Sequence, residues 1–252
     1  MSIPISSRFL PGVPTSHVLD RLEKSGGNEV ASGKLNSAES SAALAVNAFG
    51  WFIERPAILP PFPRLQAGWP PTRVEVEYCA RFPWSGGRHP WLDAFVETET
   101  AIIGVESKRF EPFRDRKKVS LSDAYDRPVW GTDMRSYERQ RDRLRSREIS
   151  FVHLDAAQLV KHAFGLVTEA KRKGKPSALL YLFAEPERIG DREISPNAFA
   201  RHRAEIKEFG SMVAGSAVAF AAFSYREWLK TWESAGREVS EHGTAIAERF
   251  RP

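Results

Sequence analysis

Cys79 is the one cysteine in 252 residues. An intramolecular disulfide is therefore excluded, and so is a zinc site built from clustered cysteines. His162 has no second His or Cys at ligand spacing, which argues against a zinc role for it. No apolar run approaches the ~18 residues that would span a membrane. The first residues lack a charged stretch followed by an apolar one, so no signal peptide is expected and cytoplasmic residence is the simplest expectation. There are no internal repeats. The Ser85-Gly86-Gly87 turn is too slight to be a phosphate-cradling loop, which argues against a hydrolase of small phosphates.

What is present is enough for one large domain: 42% hydrophobic residues, with 16 Phe and 7 Trp for a core. The net charge of +5 leans toward a polyanionic partner. Residues 1–36 are rich in Ser, Gly and Pro and read as a flexible arm, poorly ordered or draped over a domain formed by 37–252. Residues 37–54 have the spacing of a helix, with Ser37 as its N-cap and Ala42, Ala45, Val46 and Phe49 on its apolar side. Asn47 reads as a buried polar contact, and Glu39, in the first turn, complements the helix dipole. Prolines make 55–71 a connector. Residues 72–80 alternate as a strand, with Val74, Val76 and Tyr78 on one face and Arg73, Glu75, Glu77 and Cys79 on the other.

The stretch that organises the chain is 91–110, WLDAFVETETAIIGVESKRF. Two strand-like runs, 91–98 and 101–107, flank a tight polar turn. Glu106 and Lys108 share a face, roughly 7 Å apart along the strand. Paired as a hairpin, the runs bring Asp93 beside Glu106. Two carboxylates and an ammonium on a half-apolar hairpin fit two readings. One is a sheet edge blunted by a salt bridge. The other is a site for Mg²⁺ or Mn²⁺, which take one or two carboxylates and keep several waters.

Residues 109–150 form a charged insertion carrying Arg114, Arg116, Lys117 and Lys118. Its helix has a thin apolar edge (Met134, Tyr137 and Leu144) and is otherwise studded with arginines, among them Arg135 and Arg139. Such side chains suit phosphate backbones, although i,i+3 and i,i+4 pairing on a solvated helix uses the same residues. Asp155 caps a strong helix whose buried stripe includes Leu159, Val160, Phe164 and Val167. Gln158, Lys161 and His162 project elsewhere. The apolar run 178–184 suits a strand buried on both faces, parallel to its neighbour after a crossover helix. A helix over 197–209, a strand over 217–225 and helical segments to 250 follow. The expected class is α/β, with a mixed central sheet flanked by helices.

The order of a helix, a meander with Asp-x12-Glu-x-Lys, a crossover helix and a buried strand resembles the PD-(D/E)XK nuclease superfamily, the restriction-endonuclease-like fold. The likeness covers roughly 37–184 as the core (α-β-β-β-α-β), followed by a C-terminal α-β-α extension. The phrases SSAALAVNAFGWF, GVESKRFEPF, AAQLVKHAFGL and LLYLFAEP are similar to a bacterial family of restriction-endonuclease-like proteins. Leu92 stands where the motif's name expects proline. The resemblance implies metal-dependent phosphodiester hydrolysis of nucleic acid, DNA foremost, leaving 5′-phosphate and 3′-hydroxyl ends. It implies that Asp93, Glu106 and the Ser107 carbonyl hold Mg²⁺ or Mn²⁺, with Glu39 completing the shell or serving a second ion. Lys108 would position or help deprotonate the attacking water. Gln158, with Lys161 and His162, would touch the scissile strand. Double-strand cutting would call for two sites, hence a homodimer. The rival is a nucleic-acid-binding protein that keeps the fold without the chemistry; its mark would be a broken triad, and here the triad is whole.

Overall fold

The computed structural model describes residues 8–26, 30–37, 39–65, 67–115 and 117–252. Helix α1 (Thr15–Lys24) precedes α2 (Ser41–Gly50), and a proline-rich connector leads to strands β1 (Pro71–Cys79), β2 (Trp91–Thr98) and β3 (Ile102–Lys108). A single turn, α3 (Glu111–Arg114), and helix α4 (Arg135–Arg145) occupy the charged insertion. The long α5 (Ala156–Lys173) crosses over to β4 (Ser177–Phe183). A small hairpin, β5 (Arg188–Ile189) and β6 (Arg192–Glu193), then leads to α6 (Pro196–Met212), β7 (Val218–Ser224), α7 (Tyr225–Trp232) and α8 (Arg237–Phe250).

The central sheet has five strands in the order β1-β2-β3-β4-β7. Its first three form the antiparallel meander, and β3, β4 and β7 are mutually parallel. Fully buried β4 explains its unbroken apolar sequence, since helices cover both faces. Leu44, Phe49, Val105, Trp228 and Trp232 belong to the core under α2, α7 and α8. Phe95, Leu159, Phe164, Leu179 and Phe209 belong to the core under α5 and its neighbours. The result is the expected mixed α/β fold, with helices on both faces of a five-stranded sheet, and it is consistent with a restriction-endonuclease-like fold.

Gly104, at the middle of β3, sets how close α5 comes. A Cβ there would lie 2.8 Å from methyl groups of both Leu166 and Leu92. Its absence lets α5 settle onto the sheet and carries His162, one turn before Leu166, toward the end of β3.

Several expectations need correction. The second helix starts at Ser41, with Ser40 as the cap whose hydroxyl accepts from Ala43 N at 3.1 Å. Ser37 instead ends a 3-10 turn and accepts from Glu39 N, so Glu39 lies ahead of the helix. Residues 15–24, read as part of a flexible arm, form α1, whose Val18 and Leu22 are buried in the core. Tyr78 is on the opposite face from Val74 and Val76, because the backbone breaks its alternation at Glu77. Asn47 is buried as expected: Oδ1 accepts from Leu10 N, while Nδ2 donates to Arg8 O and Ala43 O.

Candidate active site at the strand ends

The hairpin places Ala94 opposite Val105 and Phe95 opposite Gly104, so Asp93 and Glu106 flank the end of the ladder. There the ladder gives way to a side chain, as Ser107 N donates to Asp93 Oδ2 at 2.6 Å. Glu106 and Lys108, two residues apart on one face, form an ion pair. On the other side of Glu106, His162 Nδ1 approaches Oε2 at 3.0 Å. Glu106 is thus held between an ammonium and an imidazole in a nearly dry setting, with 1% of its surface exposed.

Glu77 adds a carboxylate through the break in β1. Its φ of +47° is rare for a side chain of this size and costs about 1–3 kcal/mol. The break shifts the alternation: Val74 and Val76 pack under α2, whereas Tyr78 packs on the α5 side, stacked on Phe95 at 4.0 Å. In β2, Leu92 and Ala94 are likewise split between the two cores. Since Val76 pairs with Ala94 and Tyr78 with Leu92, Glu77 stands opposite Asp93 at the point where both strands change face.

A cavity of about 270 Å³ opens here. Asp93, Glu77, Ser107, Lys108, Glu111 and Ser41 line it, together with Trp91 and the end of α1 at Ser25. Ser41 Oγ donates to Glu111, and Ser107 Oγ meets the Tyr225 hydroxyl at 2.7 Å. From α1, Arg21 donates to the carbonyls of Val76 at 3.3 Å and Glu77 at 2.5 Å, which holds the strained turn in place. Arg21→Ala is expected to destabilise the fold by about 1–3 kcal/mol, the range for losing hydrogen bonds made by a charged group. Chemical denaturation checks this, and an unchanged midpoint would show that Arg21 does not hold the turn.

The charges divide unequally. Burial, and then the charge of Glu106, push the Asp93 carboxyl well above its ordinary range, against the pull of Lys108. For Glu106 burial also opposes ionisation, but Lys108 and His162 outweigh it and hold the pKa down at about 2. Burial disfavours the Lys108 ammonium as well, yet Glu106, Asp93 and Glu111 together raise its pKa well above the usual lysine value. The resting arrangement is an ionised Glu106, a cationic Lys108 and an Asp93 that releases its proton reluctantly.

The remaining expected residues are dispersed. Glu39 does not line the cavity; its carboxylate pairs with Arg114 at 3.4 Å and accepts from Gly190 N at 3.1 Å. The helix offers Ser41 in its place. His162, expected to touch nucleic acid, is buried with 3% exposure and contacts Glu106 instead. Gln158 and Lys161 are half-buried near the start of α5, where Asp155 Oδ1 caps Gln158 N at 2.9 Å. Arg114 is exposed and paired with Asp115, Lys117 donates to Glu111 O, and Lys118 is exposed. Arg116 lies outside the described residues. Arg135 and Arg139 are exposed in a separate groove on α4 that contains none of the hairpin carboxylates. Other arginines of that helix are engaged internally: Arg141 with Asp126 and Asp142, Arg143 with Glu148, and Arg145 with Asp126. Sequence reasoning missed Glu77, Glu111 and Ser41. Glu111, three residues beyond Lys108, was visible as a nearby acid; nothing in the alternation marked Glu77.

The donor set suits a hard divalent cation in part. Asp93 lines the cavity, whereas Glu106 lies buried behind it with its two oxygens engaged by Lys108 and His162. No group of three His, Cys, Asp or Glu side chains among the described residues could hold a metal ion. Two carboxylates with water remain a sufficient protein contribution for Mg²⁺. Among the described residues no helix is long and apolar enough to cross a membrane.

A family model described as "Restriction Endonuclease associating with ARP" matches residues 9–247. No curated protein and no solved structure gives a significant match.

Proposed function

This chain belongs to the family of restriction endonucleases associating with ARP, and we propose that it is a metal-dependent nuclease of the PD-(D/E)XK type acting on DNA. The observation that carries the proposal is the meeting of Asp93, Glu106 and Lys108 at one end of the sheet, with Asp93 and Lys108 lining an open cavity. Asp93, Glu106 and the Ser107 carbonyl would hold Mg²⁺ or Mn²⁺. A bound dication supplies Lewis-acid polarisation of the phosphate and a more acidic water.

The chain's own residues do the rest. Ser107 N fixes the Asp93 carboxylate, and His162 fixes Glu106 from below. Lys108, kept cationic by its carboxylate neighbours, stabilises charge that develops on the phosphate and orients the attacking water. Gln158 and Lys161, half-buried near the start of α5, would contact the substrate strand. Lys117, Lys118 and Arg114 would steer the backbone, and Arg135 and Arg139 would add a more distant phosphate contact. Glu39 has no part in this scheme. Two copies of the chain would serve the two strands of a duplex, in the cytoplasm. The non-catalytic rival finds support in one observation, the lack of a three-ligand cluster among the described residues.

DNA incubated with Mg²⁺ should yield fragments with 5′-phosphate and 3′-hydroxyl ends. Binding without cleavage in every metal tried would favour the rival. Asp93→Asn provides a second check through stability. The folded chain keeps the Asp93 proton to a higher pH than the unfolded chain does, so stability falls as pH rises through that window. Replacing Asp93 with Asn should therefore stabilise the metal-free protein at pH 8 by about 0.5–2 kcal/mol. The gain should vanish below about pH 4, where the carboxyl is protonated in both states. Added Mn²⁺ should raise the melting temperature of the wild type and leave that of the variant unchanged. A variant less stable than wild type at pH 8 would contradict this role of Asp93.

A further inference from the structure

A cavity of about 740 Å³, separate from the carboxylate cavity, lies beyond the carboxyl ends of β3 and β4, against α7 and α8. Ligands of open α/β sheets bind at this end of parallel strands, and the volume is that of a small-molecule site. Its floor is apolar, formed by Phe110, Leu229, Ala247 and Phe250. Arg109 lies 4.6 Å from the ring centre of Phe110 and 5.5 Å from that of Phe250.

Around this floor stand five cations: Arg109, Arg188, Arg226, Lys230 and Arg251. Two of them are held by backbone oxygens, since Arg226 donates to Pro252 O at 2.9 Å and Arg109 donates to Phe250 O. Those contacts orient the guanidinium groups. Lys230 and Arg251 are exposed and have no ion-pair partner among the described residues. Arg188 is paired with Glu193 at 2.9 Å, and Glu187 and Glu233 also line the cleft. Cations still outnumber acids.

We propose that this cleft binds a nucleoside phosphate, with the base against Phe110, Leu229 and Phe250 and the phosphate on Arg226, Lys230 and Arg251. A flat apolar part joined to a compact polyanion matches both halves of the cleft. Arginines suit phosphate through paired donors, and Glu187 or Glu233 can accept from ribose hydroxyls. The ligand is either a free nucleotide or the terminal nucleotide of a nucleic-acid strand. The site does not depend on the nuclease proposal.

The test is calorimetric titration of the full chain with ATP, AMP, adenosine and a 5′-phosphorylated DNA tetranucleotide, all in chelator. Because it reads binding without metal, its result is independent of whether the chain cleaves nucleic acid. The expected result is saturable binding of ATP or AMP, at least tenfold weaker binding of adenosine, and at least tenfold loss in Lys230→Glu/Arg251→Glu. Ala247→Trp, which fills the floor from an exposed helix position, should cause a similar loss. Tighter binding of ATP than of the tetranucleotide would identify a free nucleotide, and the reverse a strand end. The proposal is overturned if no probe binds saturably up to millimolar concentration, or if the charge-reversal and floor-filling variants both stay within twofold of wild type.

Discussion

Lys108→Met is expected to slow metal-dependent cleavage by at least about 10²–10³-fold, the loss typical of removing one donor aimed at transition-state charge. Methionine keeps the stem of the lysine, so the side chain still fills its place beside Glu106, but the ammonium is gone. That ammonium is the largest influence offsetting burial at Glu106 and one of two opposing the rise at Asp93. Without it the two carboxylates repel one another, and Asp93 holds its proton more firmly. The variant should therefore also need a higher pH to bind Mn²⁺, because a ligand must lose its proton to bind a metal. Wild-type rates of a folded Lys108→Met protein would remove Lys108 from the chemistry.

Glu106→Ala should destabilise the fold more than Arg21→Ala or any change at Asp93, by about 3–5 kcal/mol. Removing the carboxylate leaves Lys108 as a half-buried cation without its closest partner and the buried His162 without the group it faces. The pH dependence has a definite sign. The folded pKa of Glu106, about 2, lies below its ordinary value of 4.5, so the folded state favours the ionised form. Its contribution is fully present above about pH 4.5 and is lost as pH falls through about 2. The difference between wild type and variant should be largest near neutrality and narrow in acid. Urea titrations at pH 7 and pH 3 would check this. A constant difference at both pH values would mean that packing, and not charge, sets the cost.

The site's frame was legible in the sequence because it rests on regular alternation. Glu106 and Lys108 share a face by strand periodicity, the polar turn near Thr100 sets the hairpin, and the unbroken apolar run of β4 announces a strand covered on both sides. What escaped depends on irregularity. The positive φ at Glu77 puts Tyr78 across the sheet and Glu77 into the cavity, and no pattern of residue types marks a glutamate for that conformation. Helix α1 shows little more than Val18 and Leu22 at helical spacing within a Ser-, Gly- and Pro-rich stretch, so composition outweighed periodicity. A shift of the second helix start from Ser37 to Ser41 was enough to move Glu39 out of the site and bring Ser41 in. His162 showed its spacing but not its depth. That depended on how closely α5 approaches β3, which the missing side chain of Gly104 decides.

The most direct test is the rate at which supercoiled plasmid is nicked or linearised in Mg²⁺ or Mn²⁺, with wild type, Asp93→Asn and Lys108→Met assayed at equal concentration after a fold check. The prediction is metal-dependent cutting by wild type, abolished by chelator and lost in both variants. Cutting that persists in folded Asp93→Asn, or a folded wild type that binds the plasmid and leaves it intact in either metal, would contradict a hydrolytic site built on Asp93, Glu106 and Lys108.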